Sequence, residues 1–176
     1  FLNIEKQRSY FEVVAFEETL QSEINDIPLS LRVDRIDKLE DGSELIIDYK
    51  SSDSHPKKWQ SPKVDEPQLP IYLLNRPSAK GIAFGILNKT DKELGFKGIA
   101  SQENIAKGII DCSDSKKNKY FPLEWNDIAS EWKKDITSTA EEFAKGINIL
   151  SPKNPNLSCN YCEFSKICRI SEVKQK

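Results

Sequence analysis

Apolar and polar positions along this chain follow two different periods. β-Branched and aromatic residues mark a long strand over Tyr10–Ile24, and Asn25-Asp26 predicts a turn out of it. A strand over Leu31–Lys38, a turn at Asp41-Gly42 and a strand over Glu44–Lys50 follow. Along Glu44–Lys50, side chains alternate, so Asp48 and Lys50 face one way and Ile47 and Tyr49 the other. Gly81–Leu87 and Leu94–Ala100 read as a hairpin around Asn88–Glu93 that extends the sheet.

Helical signals interrupt and follow these strands. Asp65-Glu66-Pro67 opens a helix that carries Gln68 and Tyr72 four residues apart, with Leu69, Leu73 and Leu74 as its apolar side. From Pro122 to Asn148 the period becomes 3.6. Trp125, Ile128, Ala129, Trp132, Ile136, Ala140, Phe143, Ala144 and Ile147 form one stripe, which predicts a long helix laid on the sheet. Residues Phe1–Ser9 are too short a stretch to assign, the tail of a helix being one reading. Ser51–Pro67 and Ser101–Tyr120 read as polar surface loops, the second of them mobile, with Trp59 of the first folded back onto the domain. The pattern predicts an α/β fold: a mixed central sheet flanked by helices.

Composition narrows the setting. A chain of 176 residues with 38% hydrophobic content supports one core, hence a single domain over 1–176. A net charge of −2 provides no global basic field, so any nucleic-acid surface must be local. No run of 18 apolar residues and no signal peptide occur, which predicts a cytoplasmic protein without membrane contact. The chain begins at Phe1 and contains no methionine, as expected for a fragment of a longer protein.

Candidate chemistry gathers on the hairpin. Asp34 and Asp48 are hard oxygen donors suited to Mg²⁺ or Mn²⁺, and the backbone carbonyl of Tyr49 is a third. Such an ion polarises a phosphoryl oxygen and acidifies water, and Lys50 would orient that water or offset developing negative charge. Glu17, on the first strand, is an accessory carboxylate candidate. The alternative is a solvated hairpin face on which Asp34 and Lys50 are only a cross-strand pair and Glu17 an exposed strand residue. Lys57 and Lys58, beside His55 and Trp59, suggest either a phosphate-gripping loop or a plain solvated one. Tyr72 suits either a site or the core.

The order Asp34 in RVDRID, Asp48-Tyr49-Lys50 in IIDYKSS, then Gln68 and Tyr72 in DEPQLPIYLL resembles the PD-(D/E)XK nuclease superfamily. Within it, the likeness is to RecB-like exonuclease domains of bacterial helicase–nuclease repair proteins, and it covers about Glu17 to Ile170. Leu31 stands where that family usually has glycine. The resemblance implies a restriction-endonuclease-like core, DNA as partner, and a helicase subunit or an N-terminal helicase-like region. It also implies that Gln68 and Tyr72 sit beside the active site.

The tail Cys159-x-x-Cys162-x5-Cys168 is a second signal, in a segment (151–176) expected to pack on the domain. Clustered cysteines without a secretory context favour metal ligation over disulfides, and thiolates suit Zn²⁺ or an iron–sulfur cluster, each wanting four ligands. The resemblance implies an iron–sulfur cluster whose fourth cysteine precedes the first strand, so the site here would be incomplete. Zn²⁺ completed by Cys112 is the lesser alternative, and Cys112 otherwise reads as a lone thiol. Three functions follow: a metal-dependent DNA nuclease, a silent DNA-binding module that retains the fold, or an interaction domain dependent on its cysteines.

Overall fold

The computed structural model describes residues 1–52, 54–87, 94–147, 149, 152–153, 158–159, 162–164 and 167–168. Six strands form one sheet in chain order: β1 (Phe11–Ile24), β2 (Ile27–Leu39), β3 (Glu44–Lys50), β4 (Ala79–Ile86), β5 (Gly95–Ala100) and β6 (Ile109–Asp111). Helices α1 (Leu2–Glu5), α2 (Gln68–Leu74) and α3 (Trp125–Ala144) flank it. β1, β2 and β3 form an antiparallel meander. β3 and β4 run parallel, which requires a crossover, and α2 supplies it. β5 is antiparallel to β4, and β6 parallel to β5. This is the mixed, helix-flanked α/β sheet that the periodicity predicts.

Asn25 and Asp26 both take positive φ, 50° and 62°, the backbone that a two-residue hairpin turn needs. Pairing therefore resumes at once with Ile24 opposite Ile27, and β2 starts four residues earlier than the apolar pattern alone suggests. Both sheet faces are covered. Ile36, Ile46, Ile82, Phe84 and Ile99 pack under α2, α3 and Trp59. Leu39, Leu45, Ile47, Ala83 and Phe96 pack under Phe1, Ile4 and Ile105. Burial on both sides is why Leu45–Ile47 of β3 and Gly81–Ile86 of β4 are apolar throughout. Trp59 folds back as expected, with its ring 4.4 Å from that of Phe84.

Two expectations need correction. Ser101–Tyr120 is not simply a surface loop: Ile105 and Cys112 are buried, and Ile109–Asp111 pairs with β5. Gly108 makes the close approach, at φ 95°, where an added Cβ would fall 1.9 Å from the Phe96 carbonyl oxygen. The Asn118 amide then donates to the carbonyls of Cys112, Phe121 and Pro122. Polar side chains bonded to backbone hold this segment, and hydrophobic periodicity carries no trace of that. The α3 stripe also overruns the sheet. Trp125, Ile128, Trp132 and Ile136 are buried, whereas Phe143 and Ile147 are exposed. Of the tail 151–176, most lies outside the described residues.

Beneath β2 and β3 lies a buried charge cluster. Asp37, fully buried, accepts from Arg8 at 2.7 Å and from Arg35 at 2.6 and 3.0 Å. Glu5 accepts from both arginines at 2.9 and 2.8 Å, and Arg35 also donates to the Tyr49 hydroxyl at 3.0 Å. Burial opposes the Arg35 charge, yet Asp37 and Tyr49 hold its pKa above the ordinary value. At the other end of β3, Arg76 donates to Glu44 at 2.6 and 3.1 Å.

Asp37→Ala takes the fully buried carboxylate from two guanidinium groups and leaves only Glu5 to face them, and urea denaturation should record a loss of about 3–5 kcal/mol. Glu44 yields a pH signature. The Arg76 bond holds its pKa below the usual glutamate value, so the ionised carboxylate favours the folded state. That contribution is complete above the ordinary glutamate pKa and lost as pH falls through the folded one. Glu44→Gln should therefore be less stable than the parent near neutrality, with the gap closing in acid.

Candidate active site

Where β2 and β3 separate, the chain presents its carboxylates. Their ladder ends at Arg35 opposite Ile47. Val33 and Ile36, three residues apart, both face the α2–α3 core, so strand alternation is broken at Asp34-Arg35. Asp34 turns toward β3, and its Oδ2 accepts the Tyr49 amide at 2.7 Å. A side chain replaces the missing ladder bond. One residue on, the Lys50 carbonyl accepts from Leu87 N at 2.8 Å on the β4 side. Successive carbonyls point to opposite edges of a strand, so that of Tyr49 points into the gap beside Asp34.

Asp48 lies on the covered face, 4% exposed, with Oδ2 at 2.6 Å from Lys50 Nζ. Burial pushes its pKa up, while Lys50 pulls it back. Lys50 resists the same desolvation because Asp48 holds its proton, and its pKa stands above the ordinary lysine value. At 2.6 Å the two form an ammonium–carboxylate ion pair inside the covered sheet, with Asp48 Oδ2 as its oxygen. That atom, the Asp34 carboxylate whose charge acts on Asp48, and the Tyr49 carbonyl are hard oxygens of the kind that suits Mg²⁺ or Mn²⁺. As the side chains stand, no three His, Cys, Asp or Glu groups converge tightly enough to enclose an ion among the described residues.

Other predicted residues take different places. Gln68 Nε2 donates to the Tyr72 hydroxyl at 2.9 Å, and that hydroxyl donates to the Arg32 carbonyl. Tyr72 is thus both core and clamp, fixing α2 to β2 two residues before Asp34. Burial first, and then the charges of Asp48 and Asp34, push its pKa up. Glu17 sits at φ 49° and pairs with Arg32 at 2.7 Å, both side chains largely exposed. Cys159, Cys162 and Cys168 are free, half-buried thiols that form no metal-holding group among the described residues, so they do not fit a cluster as placed. Cys112 is buried, and burial pushes its thiol pKa up.

In the sequence Glu66 reads only as part of a helix start. The structure brings its charge into the field of Asp48 and Lys50, raising the pKa of both. Its Oε1 meets Lys58 Nζ at 2.5 Å, and its buried Oε2 has no donor among the described residues. An acidic residue two positions before Gln68 was the available sign.

A family model described as the PD-(D/E)XK nuclease superfamily matches residues 1–169. The chain belongs to that superfamily. Membership implies divalent-metal-dependent nuclease chemistry, and the restriction-endonuclease-like expectation for the fold holds. Among solved structures, the superfamily member here is similar to the crystal structure of SSO0001, at 21% identity and a TM-score of 0.40. The match covers 89% of this chain and 60% of that one. No curated protein matches the chain.

Tyr72→Phe removes the donor to the Arg32 carbonyl and the acceptor for Gln68. Chemical denaturation should show a loss of about 1 kcal/mol, with the fold retained by circular dichroism.

Proposed function

We propose that this chain is a divalent-metal-dependent deoxyribonuclease domain, RecB-like and exonucleolytic, serving a DNA repair or recombination protein alongside a helicase subunit or helicase-like region. One observation carries the reading: the Asp34 carboxylate, anchored on the Tyr49 amide, shares a sheet opening with buried Asp48 and its ammonium partner Lys50. A cross-strand salt bridge on a solvated face would need neither the burial nor the broken ladder.

Asp34, Asp48 and the Tyr49 carbonyl would hold Mg²⁺ or Mn²⁺, which when bound supplies Lewis acidity toward the phosphate and its attacking water. Lys50, neutralised in part by Asp48, orients that water and offsets charge that develops on the phosphoryl oxygens. Gln68 and Tyr72 keep α2 seated beside the carboxylates, which would close on the ion when it binds. Tyr49 itself contributes backbone alone, because its ring lies on the opposite face with Arg35.

Purified protein should degrade end-labelled linear DNA in Mn²⁺ and spare a covalently closed circle. Asp34→Ala and Asp48→Ala should each lower the rate by about a hundred-fold or more while circular dichroism stays unchanged. Variants that cut like the parent would sink the assignment of the site, and equal cutting of circles would sink the exonuclease reading.

Lys50→Ala gives a separate test on metal affinity. Without the ammonium, burial acts unopposed on Asp48 and its pKa rises further, so the proton competes with the cation up to a higher pH. The midpoint of Mn²⁺ binding against pH, read by calorimetry, should move upward relative to the parent. A midpoint that stays in place or falls would contradict it.

A further inference from the structure

We infer that the groove between the 3₁₀ turn Pro56–Trp59 and β5 binds a nucleotide of single-stranded nucleic acid, held apart from the bond to be cut. The inference rests on the nuclease reading and assigns a strand-gripping surface to it. Position is the first argument. Asp48, Phe84 and Lys97 are direct partners across β3, β4 and β5. Cross-strand partners share a face, so Lys97 stands on the Asp48 face, two strand spacings or about 10 Å away. Phe84 lies between them, with Lys50 Nζ over its ring at 5.8 Å. With Trp59 packed over Phe84, a strand whose phosphate meets Asp34 and Asp48 passes outside that ring and reaches Lys97 within a few nucleotides.

The groove's chemistry is the second argument. Its volume is 340 Å³, and His55, Pro56, Lys97, Ile99, Tyr120 and Phe121 are among its lining residues. That size lies in the range of small-molecule sites, enough for one base and its sugar. Among the described residues none that lines it is acidic, although the chain as a whole carries a net charge of −2. Tyr120 is half-buried in the wall, with the His55 ring perpendicular to it at 5.7 Å and Lys57 Nζ 5.9 Å from its centroid. An aromatic ring for the base and ammonium groups for the phosphates is the pairing by which proteins hold unpaired strands without reading their sequence. Trp59, the aromatic that the sequence offered beside these lysines, is fully buried, and Tyr120 from a distant segment takes its place.

The test is fluorescence anisotropy of a fluorescein-labelled single-stranded oligothymidylate titrated with protein in EDTA. Lys57→Glu, at an exposed position, and Tyr120→Ala should each weaken binding by about five-fold or more. Lys133→Glu, on the exposed side of α3, should bind as the parent does. Tyr120→Ala touches packing, so Lys57→Glu decides if that variant fails to fold. Lys57→Glu binding like the parent overturns the groove, and so does an equal loss in Lys133→Glu, which would mark a general charge effect. A parent that binds the oligonucleotide but cleaves nothing in Mn²⁺ removes the nuclease reading and leaves the groove in place. A parent that cleaves while Lys57→Glu binds normally does the reverse.

Discussion

Everything at the candidate centre depends on a backbone hydrogen bond that β2 does not make. Past Arg35 and Ile47 the ladder stops, and the Tyr49 amide would be left without a partner inside a covered sheet. Such a group is costly to bury, and the Asp34 carboxylate satisfies it at 2.7 Å. The bond does two things together. It compensates an opened sheet, and it fixes the direction of a carboxylate that the strand's own alternation would have aimed elsewhere. The Tyr49 carbonyl is freed into the same opening, so one irregularity supplies both a side-chain and a main-chain oxygen.

Charge on the opposite face supports that opening. Arg35 bonds the Tyr49 hydroxyl while Asp37 and Glu5 hold Arg35, so the residue whose amide meets Asp34 is anchored from behind. Buried ion pairs are weak evidence for net stability. Their contribution here is geometric. They tie α1 to β2 and prevent β3 from rotating about its axis at the point where its ladder to β2 is missing.

Much of this was legible beforehand because local chemistry wrote it: Asn25-Asp26 and Asp41-Gly42 turns, β-branched strands, and a stripe at helical spacing. The faces of Asp48 and Lys50 followed from a period of two. Asp37 escaped because its partner Arg8 lies 29 residues upstream, and a charged residue three positions after Asp34 reads as solvated. Tyr120 escaped for the same reason in reverse, since it meets His55 and Lys57 only once β6 has docked on β5. Glu66 was visible but carried a simpler explanation as a helix opener. Long-range pairing is what a pattern of periods cannot encode.

Chain order also has a kinetic side. Asp34, Asp48, Lys50 and the Tyr49 amide all lie on the β1–β2–β3 meander, whose contacts span short stretches of sequence. Loop closure there carries little entropy cost, whereas the parallel pairing of β3 with β4 must wait for α2 to cross over. The acidic groups thus sit where closures are short, and their hydrophobic cover is joined through the longer one. Like charges are brought near one another by local pairing, and the surface that dries them is a long-range contribution.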